Sequence, residues 1–225
     1  TSGTTGYPKM TIHCHGYGLA HTITGKYWLD LRSDDLHWNI SDTGWAKAAY
    51  SSFFGPWTMG ATLFVHHSPV FDPVRTLKLL AKYPITTMCG APTIYRMLVL
   101  QDLSAYEFPK LRHCVGAGEP LNPEVIRWFK ENLGCRVLDH YGQTEIGMVA
   151  CNHHALEHSV IEGSMGLSMP GFRVVVLDDQ GREVGPGQTG QIALDRSASA
   201  LYSFQGYLNQ DTGSPSSDRY YLTGD

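Results

Sequence analysis

Between residues 61 and 140 short apolar runs alternate with helical stripes, and this alternation restricts the chain to very few folds. Residues 61–66 read as a strand. Asp72 then offers an N-cap side chain with Pro73 at the first helical position, and Val74, Leu77, Leu80 and Ala81 make a stripe that stops before Pro84. Residues 85–89 form the next strand, and Pro92-Thr93 open a second helix with Ile94, Met97 and Leu98 inward. A strand over 113–116 leads to the clearest helix. Asn122 caps it, Pro123 starts it, Ile126, Phe129 and Leu133 line one face, and Gly134 closes it before a strand over 136–140. Strand, helix, strand at this spacing implies an α/β fold with a parallel sheet and right-handed crossover helices. Ligands are then expected at the carboxyl ends of the strands.

The flanks are less regular. Residues 15–29 carry Leu19, Ile23 and Tyr27 at helical spacing, 36–40 read as a short strand, and Ser41-Asp42-Thr43-Gly44-Trp45 as a turn into a helix over 46–54. Beyond Gly163 the character becomes β. Strands over 173–177 and 191–195 are separated by turn sequences, and a polar loop covers 214–217. The expected organisation is an α/β nucleotide- and acyl-binding region, 1–162, followed by a small, partly closed β-rich subdomain, 163–225.

Composition excludes several functions. A net charge of −4 over 225 residues gives no basic footprint for nucleic acid, and no run approaches the ~18 apolar residues of a membrane span. Cys14, Cys89, Cys114, Cys135 and Cys151 are odd in number and widely spaced, so reduced thiols in a cytoplasmic setting are expected rather than a disulfide framework. The histidine clusters lack the paired spacing of a zinc site.

Two stretches carry chemistry. Thr1-Ser2-Gly3-Thr4-Thr5-Gly6-Tyr7-Pro8-Lys9 combines backbone N–H groups freed by two glycines, hydroxyl donors and a point charge, which are the groups a polyphosphate requires. It departs from the usual nucleotide loop, because two residues rather than four separate the glycines and Lys9 is not followed by Ser or Thr. The alternative is a plain Thr/Gly-rich turn. Asp139-His140-Tyr141-Gly142-Gln143-Thr144-Glu145 offers an aromatic face for adenine, a hydroxyl for a phosphate oxygen and a carboxylate for Mg²⁺. The alternative there is a capped turn in which Thr144-Glu145 start a helix.

The first stretch resembles the signature loop of the adenylate-forming superfamily, which holds the β- and γ-phosphates of ATP, and Tyr141 to Glu145 resembles its second signature. The resemblance implies that Tyr141 stacks on adenine, that Thr144 meets the α-phosphate and the substrate carboxylate, and that Glu145 is the magnesium ligand, with Thr144, Glu145 and Lys9 serving catalysis. Gly118-Glu119-Pro120 is similar to the loop over the other adenine face, and Tyr221-Leu222-Thr223-Gly224-Asp225 to a third signature whose aspartate takes both ribose hydroxyls. These matches keep the family's chain order and span nearly the whole sequence.

Residues 41–45, 90–98 and 117–124 are similar to the medium-chain acyl-CoA synthetase and acetyl-CoA synthetase-like branch, which implies that Trp45 and Gly118 border the acyl site. Read without the resemblance, Trp45 is an ordinary core tryptophan. The implied activity is ATP-dependent conversion of a carboxylic acid to acyl-AMP and then acyl-CoA, with Mg²⁺ and CoA. It would take place in the cytoplasm or, in a eukaryote, the mitochondrial matrix. No Met opens the chain and it ends within a motif, so it is expected to be an excerpt of a longer enzyme whose catalytic lysine and most of whose CoA site lie beyond a hinge after Asp225. The competing reading is a non-catalytic adenine-nucleotide-binding module.

Overall fold

The computed structural model describes residues 7–209 and 219–225; residues 1–6 of the Thr/Gly-rich loop and the polar loop over 214–217 lie outside them. The element order is β1 (Thr11–His13), α1 (Gly16–Ile23), β2 (Leu36–Ile40), α2 (Ala46–Ala49), α3 (Gly55–Thr58), β3 (Thr62–Leu63), α4 (Pro73–Lys82), β4 (Thr87–Gly90), α5 (Pro92–Leu98), β5 (His113–Gly116) and α6 (Pro123–Leu133). There follow β6 (Arg136–Leu138), β7 (His140–Gln143), β8 (Gly147–Cys151), β9 (Leu167–Ser168), β10 (Val174–Leu177), β11 (Gln191–Asp195), β12 (Phe204–Tyr207) and β13 (Tyr220–Leu222).

The expected parallel sheet is present, in the order β3-β2-β4-β5-β6 with every neighbouring pair parallel. Its central strands β4 and β5 are buried on both faces, as crossover helices require. Met88, Cys114 and Val137 pack with Leu77, Leu80, Tyr95 and Phe129 on one side, while Cys89 and Val115 pack with Trp28, Leu29, Tyr50 and Met148 on the other. Three small antiparallel sheets complete the fold: β1-β12, β7-β8-β9 and β10-β11-β13. Strands β9 and β12 therefore pair with β8 and β1 from the first part of the chain.

The capped helices form where local chemistry specifies them. Asp72 accepts from Arg75 N at 3.0 Å, Asn122 accepts from Glu124 N at 2.8 Å, and Gly134 takes the left-handed conformation at φ 60°. Several inward faces differ from expectation. On α4 the buried residues are Thr76, Leu77 and Leu80, while Val74 and Ala81 are exposed; on α5 Tyr95 is buried and Met97 turns outward. The Tyr95 hydroxyl donates to Val115 O at 2.8 Å, which explains how a tyrosine can occupy the core there.

The first helix is α-helical only to Ile23 and continues as a π-helical segment over Thr24–Trp28. Leu19 is 72 % exposed, and Ala20, His21, Thr24, Gly25 and Trp28 face inward instead. The reason lies at Gly25, where a Cβ would stand 2.6 Å from Gly55 O, so backbone contact with α3 sets the rotation of the helix. The helix expected over 46–54 runs on to Thr58 as α2, a π segment over Tyr50–Phe54, and α3. The strand expected over 61–66 pairs only over Thr62–Leu63.

Four cysteines are buried, Cys14 is exposed, and all are free thiols. Five histidines are held neutral by burial: His21, His113, His140 and His154 are pushed down to about 3, and His37 to about 4. A depressed folded pKa gives stability that is complete above the unfolded value of about 6.5 and is lost as pH falls toward the folded value. Each such group adds a slope of about 1.4 kcal/mol per pH unit in that window. Unfolding followed by circular dichroism in an acid titration should therefore have its midpoint between about pH 4 and 6. Native signal persisting below pH 4 would contradict this account.

Candidate active site

The stretch follows the carboxyl end of the parallel strand β6, as expected, but it leads into a hairpin and not into a helix. His140 opens β7, which turns at Thr144–Ile146 and returns antiparallel as β8. Ile146 N donates to Gln143 O at 3.2 Å, and Gly147 at φ 68° closes the turn, so Thr144 and Glu145 lie at a hairpin tip and do not start a helix. The strands approach so closely that a Cβ on Gly142 would be 2.1 Å from Gly147 O.

At one end of the hairpin, Asp225 gathers two donors. Its Oδ2 accepts from Tyr141 Oη at 2.5 Å and from Gln143 Nε2 at 2.8 Å, and Gln143 Nε2 also donates to Thr223 O at 2.9 Å. Burial, then the bond to Asp225, pushes the Tyr141 phenol up, so it stays protonated as the donor. Gly118, Glu119 and Pro120 face this group across a cavity of about 600 Å³, which Asp139, His140, Tyr141, Gly142, Gly163, Ser164, Met165 and Asp225 also line. Asp139 is itself occupied in bracing, since its carboxylate accepts from Leu121 N at 3.0 Å and His140 N at 2.8 Å. His140 Nδ1 donates to Gly116 O at 2.8 Å, with its ring against Trp28 at 4.1 Å.

At the tip, the Glu145 carboxylate accepts from Tyr207 Oη at 2.8 Å, and Lys9 Nζ stands 4.8 Å above the Tyr207 ring. Burial, and then the bond to Glu145, raises the Tyr207 phenol, so it also remains a donor. His13 fixes the tip from beneath. Its Nε2 donates to Thr144 O at 2.8 Å, its Nδ1 lies 3.2 Å from Ser203 Oγ, and its ring stacks on Tyr17 at 4.1 Å. Lys9 and Thr144 line a cavity of about 910 Å³ together with 42–46.

A third cavity, about 400 Å³, lies between these two and shares residues with each: Gly118, Glu119, His140 and Gly142 with the first, and Asp42, Trp45, Ala46 and Thr144 with the second. Trp45 is 62 % exposed and lines two of the cavities, which excludes a core role. The structure thus brings Tyr141, Gly142, Gln143, Thr144, Asp225, Gly118, Glu119, Pro120, Trp45 and Lys9 around one run of cavities, while Glu145, 8 % exposed, lies at the hairpin tip and lines none of the three; Thr1, Ser2, Gly3, Thr4, Thr5 and Gly6 lie outside the described residues. Sequence reasoning missed His13, Lys47, Tyr50 and Tyr207. Their signals are weak, because each joins the site through partners far away in the chain.

Gly142→Ala should force β7 and β8 apart and destabilise the protein by about 1–3 kcal/mol, the range of an overpacked site. Urea unfolding measures this; a shift below 0.5 kcal/mol, the ordinary scatter of surface changes, would show that the hairpin adjusts freely.

The profile of the family described as AMP-binding enzyme matches residues 1–208. The chain is 44 % identical over 229 aligned residues to the acyl-coenzyme A synthetase ACSM3, mitochondrial, of Homo sapiens, covering all of this chain and 39 % of that protein. It is 45 % identical to ACSM4, mitochondrial, of Homo sapiens with the same coverage, so it spans about two-fifths of the length of these relatives. Among solved structures, a Brucella canis acyl-CoA synthetase superposes with a TM-score of 0.91 at 43 % identity, over all of this chain and 41 % of that one. The anthranilate CoA ligase AuaEII in complex with anthranoyl-AMP gives 0.87 at 26 % identity, over 100 % and 43 %. Among the described residues no helix is long and apolar enough to cross a membrane. The chain belongs to the AMP-binding enzyme family.

Proposed function

We propose that the protein carrying this chain is an AMP-forming acid–CoA ligase. It uses ATP to convert a carboxylic acid, of medium chain length or similar, to acyl-AMP and then to acyl-CoA. The observation that carries this reading is the hairpin β7–β8, whose Tyr141 and Gln143 share Asp225 at one end and whose Glu145 is bonded at the other to Tyr207, with Lys9 over the ring of that tyrosine. Adenine lies between the Tyr141 ring and the Gly118-Glu119-Pro120 segment. Both protein donors to Asp225 fall on Oδ2, so Oδ1 takes the ribose hydroxyls. Thr144 donates to the α-phosphate, and Lys9, with residues 1–6, draws charge from the β- and γ-phosphates.

The donor set at Glu145 fits a magnesium ion. No group of three or more His, Cys, Asp or Glu among the described residues could hold a metal, whereas Mg²⁺ characteristically takes one or two carboxylates and completes its shell with phosphates and water. Glu145 would hold it through the oxygen not engaged by Tyr207, and when bound the ion neutralises phosphate charge.

In the first half-reaction a carboxylate oxygen bonds to the α-phosphorus and pyrophosphate leaves. In the second the CoA sulfur bonds to the acyl carbon and AMP leaves. Neither step needs a protein nucleophile, so this chain's residues contribute by orienting the acid in line and supplying donors where charge develops. Trp45 and Gly118 border the acyl group in the central cavity. Residues 163–209 and 219–225 hold β9 to β13, and in the whole protein a further domain, reached through a hinge, adds a lysine and most of the CoA site. The word mitochondrial in the names of the relatives supports a mitochondrial over a cytoplasmic working compartment.

The deciding experiment is acid-dependent exchange of labelled pyrophosphate into ATP by the full-length protein over a panel of carboxylic acids, followed by thioester formation on adding CoA. ATP binding without exchange for any acid would favour the nucleotide-binding module instead. Glu145→Gln should lower exchange about a hundredfold, as expected when a positioned charge contact is lost in a dry site; undiminished exchange removes Glu145 from the metal site. Trp45→Ala should shift preference toward bulkier acids, at about 1–3 kcal/mol for each methylene accommodated. An unchanged acid profile would separate Trp45 from the acyl group.

A further inference from the structure

Tyr207 joins the two charged groups of the hairpin tip through one ring. It ends β12, where its backbone pairs with Thr11 of β1, and Leu208 N, next in the chain, donates to Met10 O at 2.8 Å. Its ring packs edge-to-face on Phe204 at 5.2 Å and carries Lys9 Nζ over one face at 4.8 Å. Backbone pairing, ring packing and charge therefore all hold the ring in place. From that fixed position its hydroxyl donates to Glu145, 62 residues away in the chain, with Oε1 at 2.8 Å.

The Glu145 carboxylate is buried, and a buried carboxylate requires both hydrogen bonds and a compensating positive charge. A phenol is a neutral donor, so Tyr207 satisfies one oxygen without cancelling the charge. What it supplies is orientation. A glutamate side chain is rich in rotamers, and a carboxylate that holds a metal is itself held by a hydrogen bond that decides which oxygen points at the ion. We propose that Tyr207 is a positioning residue for magnesium: by engaging Oε1 it fixes the Glu145 side chain so that Oε2 meets the ion carried by the ATP phosphates. The inference rests on the reading of Glu145 as metal ligand above and deepens it, naming the residue, drawn from the far end of the chain, through which that ligand is aimed.

The test is isothermal titration calorimetry on the full-length protein with two ligands, ATP over a series of magnesium chloride concentrations and AMP in EDTA. Tyr207→Phe keeps the ring, its contact with Phe204 and the face beneath Lys9, and removes the hydroxyl alone. Its affinity for ATP at a fixed magnesium concentration should fall about tenfold or more, and the magnesium concentration for half-maximal ATP binding should rise by a similar factor. Its affinity for AMP, which lacks the β- and γ-phosphates, should stay within about twofold of the unmodified protein. In a Glu145→Gln background the same change should weaken ATP binding no further, because the two residues act as one unit. Tyr207→Leu should show the same split between ATP and AMP, and serves in place of the phenylalanine variant if that one does not fold. Equal weakening of AMP and ATP would overturn the proposal, since Tyr207 would then support only the fold of the tip. A magnesium requirement left unchanged by the loss of the hydroxyl would overturn it while leaving Glu145 as ligand. ATP affinity independent of magnesium in the unmodified protein would bring down the Glu145 assignment and this inference together.

Discussion

One carboxylate holds together the two walls of the cavity between Tyr141 and the Gly118–Pro120 segment. Asp139 accepts from the backbone N–H of Leu121, beyond the end of β5, and from that of His140, at the start of β7. It is buried, and burial raises its pKa against those two hydrogen bonds. A carboxylate is tolerated at such depth when backbone donors satisfy it, and each charged hydrogen bond contributes about 1.5–3 kcal/mol. The neutral ring of His140 adds a second tie, from Nδ1 to Gly116 O. The distance from Tyr141 to the Gly118–Pro120 segment is therefore fixed by the main chain on both sides, with no flexible loop between them.

The other end depends on hydroxyls and imidazole rather than on a buried charge. His13 holds the carbonyl of Thr144, and Tyr207 holds the carboxylate of Glu145, so the hairpin tip is clamped by β1 and β12, which pair with each other. Glu145 is left with one oxygen outside that clamp, and Lys9 stands over the ring of the clamping tyrosine. The orientation of the tip is thus held by the chain's own groups, with no ligand needed to set it, which is the form electrostatic preorganisation takes.

What was legible in the sequence was what local chemistry decides. The Asn122-Pro123 start and Gly134 stop of α6 depend on residues within one helix, and they are found as read. The parallel sheet follows from the spacing of strands and helices, which is also short-range information. The rotations of α1 and α4 were misread, because a stripe of apolar residues competes with contacts the sequence does not display. For α1 that contact is the glycine-to-backbone approach at Gly25 and Gly55. The hairpin is not legible because Tyr141-Gly142-Gln143-Thr144 is short and carries a glycine, which leaves a capped turn into a helix as an open alternative, and only pairing with residues 147–151 makes it a strand. Lys47 was overlooked for a related reason: within Ala46-Lys47-Ala48-Ala49 it looks like an ordinary solvent-facing helical lysine, and burial by distant strands alone places it on the central cavity.

The pairing of β1 with β12 has a bearing on how the molecule comes into being. His13 and Ser203 are 190 residues apart in the chain, yet they meet beneath the hairpin tip. Contacts of such separation close late, after the loop entropy between them has been overcome, whereas α6 with its neighbouring strands can assemble early from local interactions. During synthesis the parallel sheet can therefore form while Lys9 and Glu145 still lack Tyr207. The hairpin tip is clamped only when the last strands arrive, so an incompletely made chain can be folded in its core while that tip is still unheld.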